Sequence, residues 1–310
     1  MLHRNRTRLL VIAVALVCAS AFARAALPSK RNAILISWDG ALRAHVRRSL
    51  AQGMLPNLAR LVSRGSLVDI DVVGHQTDTK AGHAEMLTGY DPQVTGVYSN
   101  RNYRPIPLGL TIFERLRVAF GQDAITTIML TGKDHNLGSQ GAGLVLGADP
   151  YYFSRSGITV WDGDQNRPAR VVGRKAVDYI DRFAGQGRFF LFVHLPDVDL
   201  AGHTLGEGSD AYDRALAESD RWLGAILDEL SRKGVDDRTL VYVTADHGFE
   251  VGGRQHSHAP NIILATNQPG LHDGQQRDIA PTVLSAMGVD VAKLTPALPG
   301  KVLAADNKGR

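Results

Sequence analysis

Residues 240–250, with the sequence LVYVTADHGFE, contain an apolar, β-branched run that stops at an aspartate followed by a histidine. The run predicts a buried strand over residues 239–245, with Asp246 and His247 at its carboxyl end. Open α/β sheets bind their ligands at the carboxyl ends of their strands. A carboxylate beside an imidazole suits zinc or a similar divalent ion. The Asp-His-Gly sequence could instead form a turn in which the aspartate caps the backbone.

Apolar runs like this one alternate with helical patterns along the rest of the chain. Residues 33–38 form a second run that also ends in an acid, Asp39, although Asp-Gly could again be a simple turn. The alternation predicts an α/β fold with a mostly parallel central sheet and helices on both faces. Residues 90–187 are rich in Gly, Asn, Asp and Pro, and we interpret them largely as substrate-facing loops of the same domain. The remaining predicted strands are 67–73, 124–130, 188–194 and 260–265, and the helices are 41–50, 56–62, 111–120, 169–183, 212–230 and 278–287.

Length and composition set broad limits. The 310 residues, 44% of them hydrophobic and 21% charged, are enough for one large α/β domain or two small ones. The formal net charge is +4, but the basic residues are scattered and the amino terminus contributes several of them. The charge is therefore weak evidence for an anionic ligand, and no nucleic-acid polymer is expected as a partner. The sequence predicts no oligomeric state.

Residues 1–26 have the pattern of a secretory signal peptide: a basic start, an apolar run over residues 9–23, and small residues before a cleavage point near Ala25 or Ala26. The expected mature chain is one domain over residues 27–310, secreted or periplasmic, with no stable membrane span after cleavage. An uncleaved anchor is the alternative. Cys18, the only cysteine, lies in this segment, so a metal would have to be bound by His, Asp, Glu or hydroxyl groups.

Two more groups of acidic and imidazole side chains follow predicted strands. Asp199 and His203 are four residues apart, and they could bind one ion if they share a helical turn. Asp197 competes with Asp199 for this role, and any of these residues could cap a turn instead. His256 and His258 lie in a Gly-rich loop behind the central strand, and their proximity to Asp246-His247 favours a contribution to metal binding.

Thr79 lies where a strand passes through a polar turn into a helix, with Gly82 nearby. A hydroxyl at this place is close to free backbone N–H groups and to the positive end of the helix. Both an attacking alkoxide and a bound phosphoryl group would be stabilised there. Alternatively, Thr79, or Asp78 before it, is only the N-cap of the helix.

Taken together, these residues resemble the alkaline phosphatase superfamily, and within it the threonine-nucleophile phosphatases and the type I phosphodiesterase/nucleotide pyrophosphatase group. The resemblance covers nearly the whole chain after residue 26, and the motifs occur in the order of the family. They are SWDG at residues 37–40, TKAGHAEMLTG at 79–89, DLAGH at 199–203, TADHG at 244–248, His256, and DIAPTVL at 278–284.

The resemblance implies an alkaline phosphatase-like fold with two divalent metal ions, expected to be zinc, about 4 Å apart. Such ions would lower the pKa of the attacking hydroxyl, bind nonbridging oxygens and stabilise the leaving oxygen. A covalent phosphothreonine would form and then be hydrolysed. The ligands implied for one ion are Asp39, Thr79, Asp246 and His247, with Thr79 also the nucleophile, and those for the other ion are Asp199, His203 and His256.

Further matches concern the substrate. Asn100 matches a phosphate-binding Asn found in both branches of the family. Lys133 matches the lysine of the Lys-x-Arg clamp of the monoesterases, but His135 stands where that clamp has Arg. An imidazole lacks the bidentate fork of a guanidinium and is charged only part of the time. His83 is not a ligand in the family pattern, and we expect it to support the helix.

The function expected from the resemblance is a secreted or periplasmic two-metal phosphoester hydrolase that acts on a small phosphorylated substrate through a phosphothreonine. The expectation leans to phosphate monoesters because of Lys133. The alternative, for which His135 leaves room, is a phosphodiesterase or nucleotide pyrophosphatase. A different class of function is a catalytically weak, metal-dependent binding protein for phosphorylated glycans or lipids. Turnover of a phosphoester would distinguish the enzyme from the binding protein.

Overall fold

The computed structural model describes residues 32–137, 155–164 and 166–304. The predicted signal peptide, residues 1–26, and Cys18 lie outside the described residues. Within those ranges, no helix combines the length and the apolar character that crossing a membrane requires.

Eight strands of the described residues form one sheet. They are β1 (Asn32–Trp38), β2 (Ser66–Asp71), β3 (Ile125–Thr131), β4 (Val160–Gly163), β5 (Arg188–Leu195), β6 (Thr239–Thr244), β7 (Asn261–Thr266) and β8 (Gly274–Gln275). Their order is β4-β3-β5-β1-β6-β7-β2-β8. Among the described pairs, β7 runs antiparallel to both of its neighbours and the others are parallel. The predicted mostly parallel sheet is confirmed.

The three central strands explain why the chain forms this sheet. Every residue of β1 and β6 is buried, and in β5 only the first residue is partly exposed. Parallel strands covered by helices on both faces have near-continuous apolar sequences, which is the pattern of these runs. One cluster of buried hydrophobic side chains extends from these strands to the surrounding helices.

The helices are α1 (Arg43–Ala51), α2 (Pro56–Val62), α3 (Thr79–Thr88), α4 (Pro92–Thr95), α5 (Ile112–Phe120), α6 (Asp134–Leu137), α7 (Ala169–Phe183), α8 (Asp197–Leu205), α9 (Asp210–Arg232) and α10 (Ile279–Met287). They surround the sheet in two groups. The long helix α9 packs against α2, α7 and α8, and the helix α10 packs against α3 and α5. Local signals fix their starts: a capping box formed by Thr111 and Glu114 begins α5, and Ser209 caps α9.

The predicted elements are present, with small shifts at their ends. The predictions for α2 and α7 agree with the structure at both ends, and the central strand ends one residue earlier than predicted, at Thr244. Five elements were not predicted: the helices α4, α6 and α8 and the strands β4 and β8. The helix α8 carries acids, glycine and histidine in place of a regular apolar stripe, and β4 is a four-residue edge strand whose residues are all half-buried.

Candidate active site

The carboxyl ends of four neighbouring strands meet at one edge of the sheet. The order β3-β5-β1-β6 is parallel throughout, so the residues that follow these strands are brought together. Asp39 follows β1, Asp246 and His247 follow β6, and Lys133 follows β3. The structure therefore brings residues that are more than two hundred positions apart in the sequence to the same place.

Asp39, Asp246 and His247 form the first group of possible metal ligands, and all three are buried. The His247 Nε2 atom lies 3.6 Å from Asp39 Oδ1 and 3.4 Å from Asp246 Oδ2. The other oxygen of Asp246 accepts a hydrogen bond of 3.1 Å from the Gly40 backbone N–H, which fixes the carboxylate. Gly40 has φ +74°, and a Cβ atom there would lie 2.8 Å from the Phe249 ring and 3.1 Å from Asp199, so a side chain would not fit at this turn.

The second group is built on α8 and on the loop after β6. Asp199, His247 and His256 offer ligand atoms within 4.8 Å of one another. His203 is one helical turn after Asp199, and its Nε2 lies 3.3 Å from Asp199 Oδ1 and 3.1 Å from His256 Nε2. Asp197 points elsewhere, because its Oδ1 accepts the backbone N–H of Ala169 at 2.7 Å. Asp199 is therefore the acid that joins this cluster.

Four polar atoms in this cluster are buried without a hydrogen-bond partner among the described residues: Asp39 Oδ1, Asp199 Oδ1, Asp246 Oδ2 and His247 Nε2. A buried acceptor without a partner costs about 1–3 kcal/mol, so a group of four requires an explanation. Lone pairs of carboxylates and imidazoles that face each other suit a divalent cation of the zinc type. These residues therefore fit one or more bound metal ions.

The protonation states agree with that assignment. Burial and the nearby charges of Asp39 and Asp199 raise the pKa of Asp246 well above its ordinary value. Burial and the charge of His256 lower the pKa of His247 to about 4, so its imidazole is neutral at pH 7. Carboxylates this close cannot all be charged without a neighbouring cation, whereas a neutral imidazole retains the lone pair that a metal needs.

Thr79 is the first residue of α3 and is 3% exposed. A Cβ atom at Gly82, one turn later, would lie 2.3 Å from the backbone oxygen of Asp246, so only glycine lets the helix approach β6 this closely. Asp78 is the N-cap but forms no side-chain capping bond, and the Thr79 hydroxyl has no hydrogen bond within the described ranges. The alternative that either residue serves only as a helix cap is thus not supported by the contacts.

Asn100 lies beside the start of α3. Its Oδ1 accepts the backbone N–H of Lys80 at 2.9 Å, which orients the amide, and its own N–H donates to Asp78 Oδ2 at 2.9 Å. The side chain of Lys80 is 7% exposed and donates to the backbone oxygen of His135 at 2.8 Å. Asn100, Thr79 and the turn containing His135 are therefore tied to one another through Lys80.

Lys133 bridges the two groups of possible metal ligands. Its Nζ lies 2.7 Å from Asp39 Oδ2 and also contacts Asp199 Oδ2. Burial would raise the pKa of Asp39, but the charge of Lys133 and contacts with histidines hold it well below its ordinary range. Burial and the charges of Lys133 and Lys80 lower the pKa of His135, so this imidazole is not a cation at neutral pH.

Two residues near the site were not predicted from the sequence. His194 is in β5 and its Nε2 lies 2.9 Å from Asp39 Oδ2, which holds the carboxylate in place. Phe249 packs against the rings of His203, His247 and His256, with ring centroids 5.2 to 6.3 Å apart. The sequence signal available for His194 was its place at the end of an apolar run. For Phe249 the signal was an aromatic residue directly after Asp-His-Gly.

Two other histidines, His83 and His258, have different surroundings. His83 supports α3 as expected, because its Nδ1 contacts the Thr79 oxygen at 2.7 Å and its Nε2 contacts Ser37 Oγ at 3.0 Å. His258 has a side chain that is 91% exposed and lies 3.8 Å from Glu250, so the structure does not bring it into the cluster.

Comparisons with known proteins give a consistent result. Residues 33–279 match the model of the family described as type I phosphodiesterase / nucleotide pyrophosphatase. An uncharacterized pyrophosphatase/phosphodiesterase of Schizosaccharomyces pombe is 23% identical over 232 residues, which are 70% of this chain and 44% of that protein. Mouse ectonucleotide pyrophosphatase/phosphodiesterase family member 1 is 24% identical over 229 residues, which are 71% of this chain and 24% of that protein. The chain thus spans less than half the length of these relatives.

The fold has solved counterparts. A protein of the alkaline phosphatase superfamily from Vibrio parahaemolyticus superposes with a TM-score of 0.62 at 19% identity. The superposition covers 88% of this chain and 69% of that one. The predicted alkaline phosphatase-like fold is thereby confirmed.

Proposed function

Because the chain belongs to the type I phosphodiesterase / nucleotide pyrophosphatase family of the alkaline phosphatase superfamily, we propose that it is a metal-dependent phosphoester hydrolase. Thr79 is its nucleophile in this proposal. The observation that supports it best is the group of four buried, unpartnered ligand atoms beside the amino-terminal turns of α3. His83, on the second turn, lies 3.5 Å from Asp246, so the start of α3 and the cluster form one site.

The proposed cofactor is a pair of divalent ions, with zinc favoured by the mixture of imidazole and carboxylate ligands. Bound ions would lower the pKa of the attacking hydroxyl and neutralise charge on the phosphoryl group. The proposed ligands of one ion are Asp39, Thr79, Asp246 and His247, and those of the other ion are Asp199, His203 and His256.

The chain's own groups then perform the substitution. The Thr79 oxygen forms a bond to phosphorus, and the bond from phosphorus to the leaving oxygen breaks. Water later cleaves the phosphothreonine and regenerates the hydroxyl. The backbone N–H of Lys80 holds the Asn100 amide through its Oδ1, so the N–H₂ group of that amide can donate to a phosphoryl oxygen, and the positive end of α3 favours negative charge there.

For the substrate we propose a phosphodiester or a nucleotide-type pyrophosphate, with a monoester as the second candidate. The diester is favoured by the family match and by the neutral state of His135, which provides no second positive charge for a dianionic phosphate. The monoester is favoured by Asn100 and by Lys133, whose ammonium group lies within the cluster. In either case the substrate is a small phosphorylated molecule, and the pattern of residues 1–26 supports export to the periplasm or the exterior.

Paired assays test the proposal. We would measure steady-state hydrolysis of p-nitrophenyl phosphate and bis-p-nitrophenyl phosphate by the zinc-loaded wild-type protein and by Thr79→Ala. The matched control is Thr88→Ala, which removes another buried hydroxyl of the same helix, one that donates to the Ala84 oxygen and accepts from the Tyr90 backbone N–H. We expect hydrolysis of the diester by wild type and the control, and a loss of at least about 1000-fold in Thr79→Ala, comparable to the loss of other nucleophiles.

Each other outcome has a definite meaning. Full activity of Thr79→Ala would overturn the assignment of Thr79 as the nucleophile. A strong preference for the monoester would replace the first substrate class with the second. Tight binding of a phosphorylated ligand without turnover would instead support the binding-protein alternative.

A further inference from the structure

A buried acid–imidazole pair lies outside the metal cluster, at the segment that leads into α3. The side chains of His75 and Glu85 are 0% and 1% exposed, and His75 Nε2 lies 3.2 Å from Glu85 Oε2. On its other side, His75 Nδ1 lies 2.6 Å from the backbone oxygen of Gln76. Neither residue is a ligand or nucleophile in the proposed function, so the pair needs a separate explanation.

The hydrogen-bond directions show that this pair retains a proton. A carbonyl oxygen only accepts, so Nδ1 must donate to Gln76. Nε2 then faces a carboxylate, and a neutral imidazole would place one lone pair against another. The proton is therefore on His75 or shared with Glu85. Burial opposes charge on His75, but its bond with Glu85 raises the pKa of the imidazole above its ordinary value.

Thr77, two residues after His75, connects this segment to a proposed metal ligand. The Thr77 hydroxyl donates to the backbone oxygen of His256. In return, His256 Nδ1 donates to the Thr77 backbone oxygen at 2.6 Å. This bond fixes the tautomer of His256 and leaves its Nε2 directed at His203 and Asp199. Thr79, the proposed nucleophile, follows two residues later.

The pair also contacts Gln276, a residue that bonds to the end of the central strand. Gln276 lies against His75, and its Nε2 donates to the backbone oxygen of Asp246 at 2.8 Å. The charges of Asp91 and Arg277 also act on Glu85, and these two residues pair with each other at 2.9 Å.

We propose that His75 and Glu85 form a protonated positioning pair that anchors residues 75–78 and thereby orients His256 for metal binding. The inference rests on the proposed role of His256 as a ligand. Neither residue touches the reacting atoms. Groups that orient a metal-bound histidine through its second nitrogen commonly contribute 10- to 100-fold to metal affinity, and the pair acts one step further out, through Thr77.

Two measurements test the pair. Zinc affinity, from competition with a chromophoric chelator, would be compared between wild type, His75→Phe and Glu85→Leu. The matched control is His272→Phe, because exposed His272 makes the same type of bond, from Nδ1 to the next backbone oxygen, at 2.9 Å. We expect a loss of about 10-fold in the two pair variants and none in the control.

Nitrogen-15 NMR of the wild-type protein gives an independent result. We expect both ring nitrogens of His75 to carry protons at pH 7, and the imidazolium signal to disappear in Glu85→Gln. A neutral His75 beside an ionised Glu85, read from the carbon-13 signal of that carboxyl group, would overturn the inference even if no variant folded. Wild-type zinc affinity in folded His75→Phe or Glu85→Leu would overturn it while leaving the proposed function intact. Failure of the wild-type protein to bind zinc would overturn both this inference and the proposed zinc-dependent function.

Discussion

Lys133 shows how a single residue can serve two parts of the site. Its ammonium group contacts Asp39 and Asp199, which belong to different groups of proposed metal ligands, and its side chain is 13% exposed. The family resemblance predicts that it binds phosphate. In this structure it balances the charge of two buried carboxylates. Any contact with substrate must therefore be made while the ammonium group lies between Asp39 and Asp199.

The variant Lys133→Met removes that charge. Breaking one side of a buried ion pair costs about 3 kcal/mol or more. For a domain of this size, this lowers the melting temperature of the chelator-treated protein by about 6 °C or more. Zinc affinity should rise, because no side-chain cation competes for the carboxylates.

Thermal unfolding with and without zinc checks this prediction. The control is Lys293→Met, because Lys293 forms an exposed pair with Asp290, and such pairs contribute little. Equal melting temperatures for Lys133→Met and wild type in chelator would show that the contacts with Asp39 and Asp199 do not stabilise the fold.

At the scale of elements, α3 can occupy its position only because one face of the helix lacks a side chain. Gly82→Ala would place a Cβ atom 2.3 Å from the Asp246 backbone oxygen, so the helix must move away from β6. Overpacking of this kind costs about 1–3 kcal/mol, and the displacement of Thr79 should reduce kcat by at least about 100-fold. Gly185→Ala is the control, because a Cβ there would meet nothing within 4 Å. Activity assays and thermal unfolding check both variants, and normal kcat in Gly82→Ala would contradict the prediction.

The elements also show what the sequence can predict. The strand that ends at Asp246 was predictable because a buried parallel strand has a continuous apolar sequence, and α7 because its apolar residues recur with the helical period. The helix α8 was not predicted, since the acid and histidine of the candidate site replace apolar residues along it. The local signal for a helix is thus weakest where the side chains of the candidate site are concentrated.

The same limit applies to individual side chains of the candidate site. The sequence and the family resemblance named the clustered acids and histidines, but they did not predict that Lys133 would contact two of the acids. Nor did they predict that His194 and Phe249 would support the cluster. Contacts of this kind depend on which strands become neighbours in the sheet, and periodicity within one segment contains no such information.

At the scale of the whole molecule, the cluster places buried polar atoms without hydrogen-bond partners at the centre of the fold. Asp39, Asp246 and His247 are 0% exposed and follow the central strands β1 and β6. The free energy of unfolding should therefore depend on metal more strongly than it would for a site at the surface. An ion that binds only the folded chain stabilises it by about 4 kcal/mol at a free concentration 1000 times the dissociation constant.

We predict that zinc raises the melting temperature of the chelator-treated protein by about 8 °C or more under those conditions. In Asp246→Asn the rise in melting temperature should be less than half that of the wild-type protein, because the amide that replaces the carboxylate carries no negative charge and is a weaker ligand. Asp290→Asn is the control, since Asp290 lies at the surface, and it should respond like wild type. A melting temperature that zinc leaves unchanged would mean that Lys133 and bound protons are enough to balance the buried acids. The two-metal assignment would then fail, even though the fold and the family membership would stand.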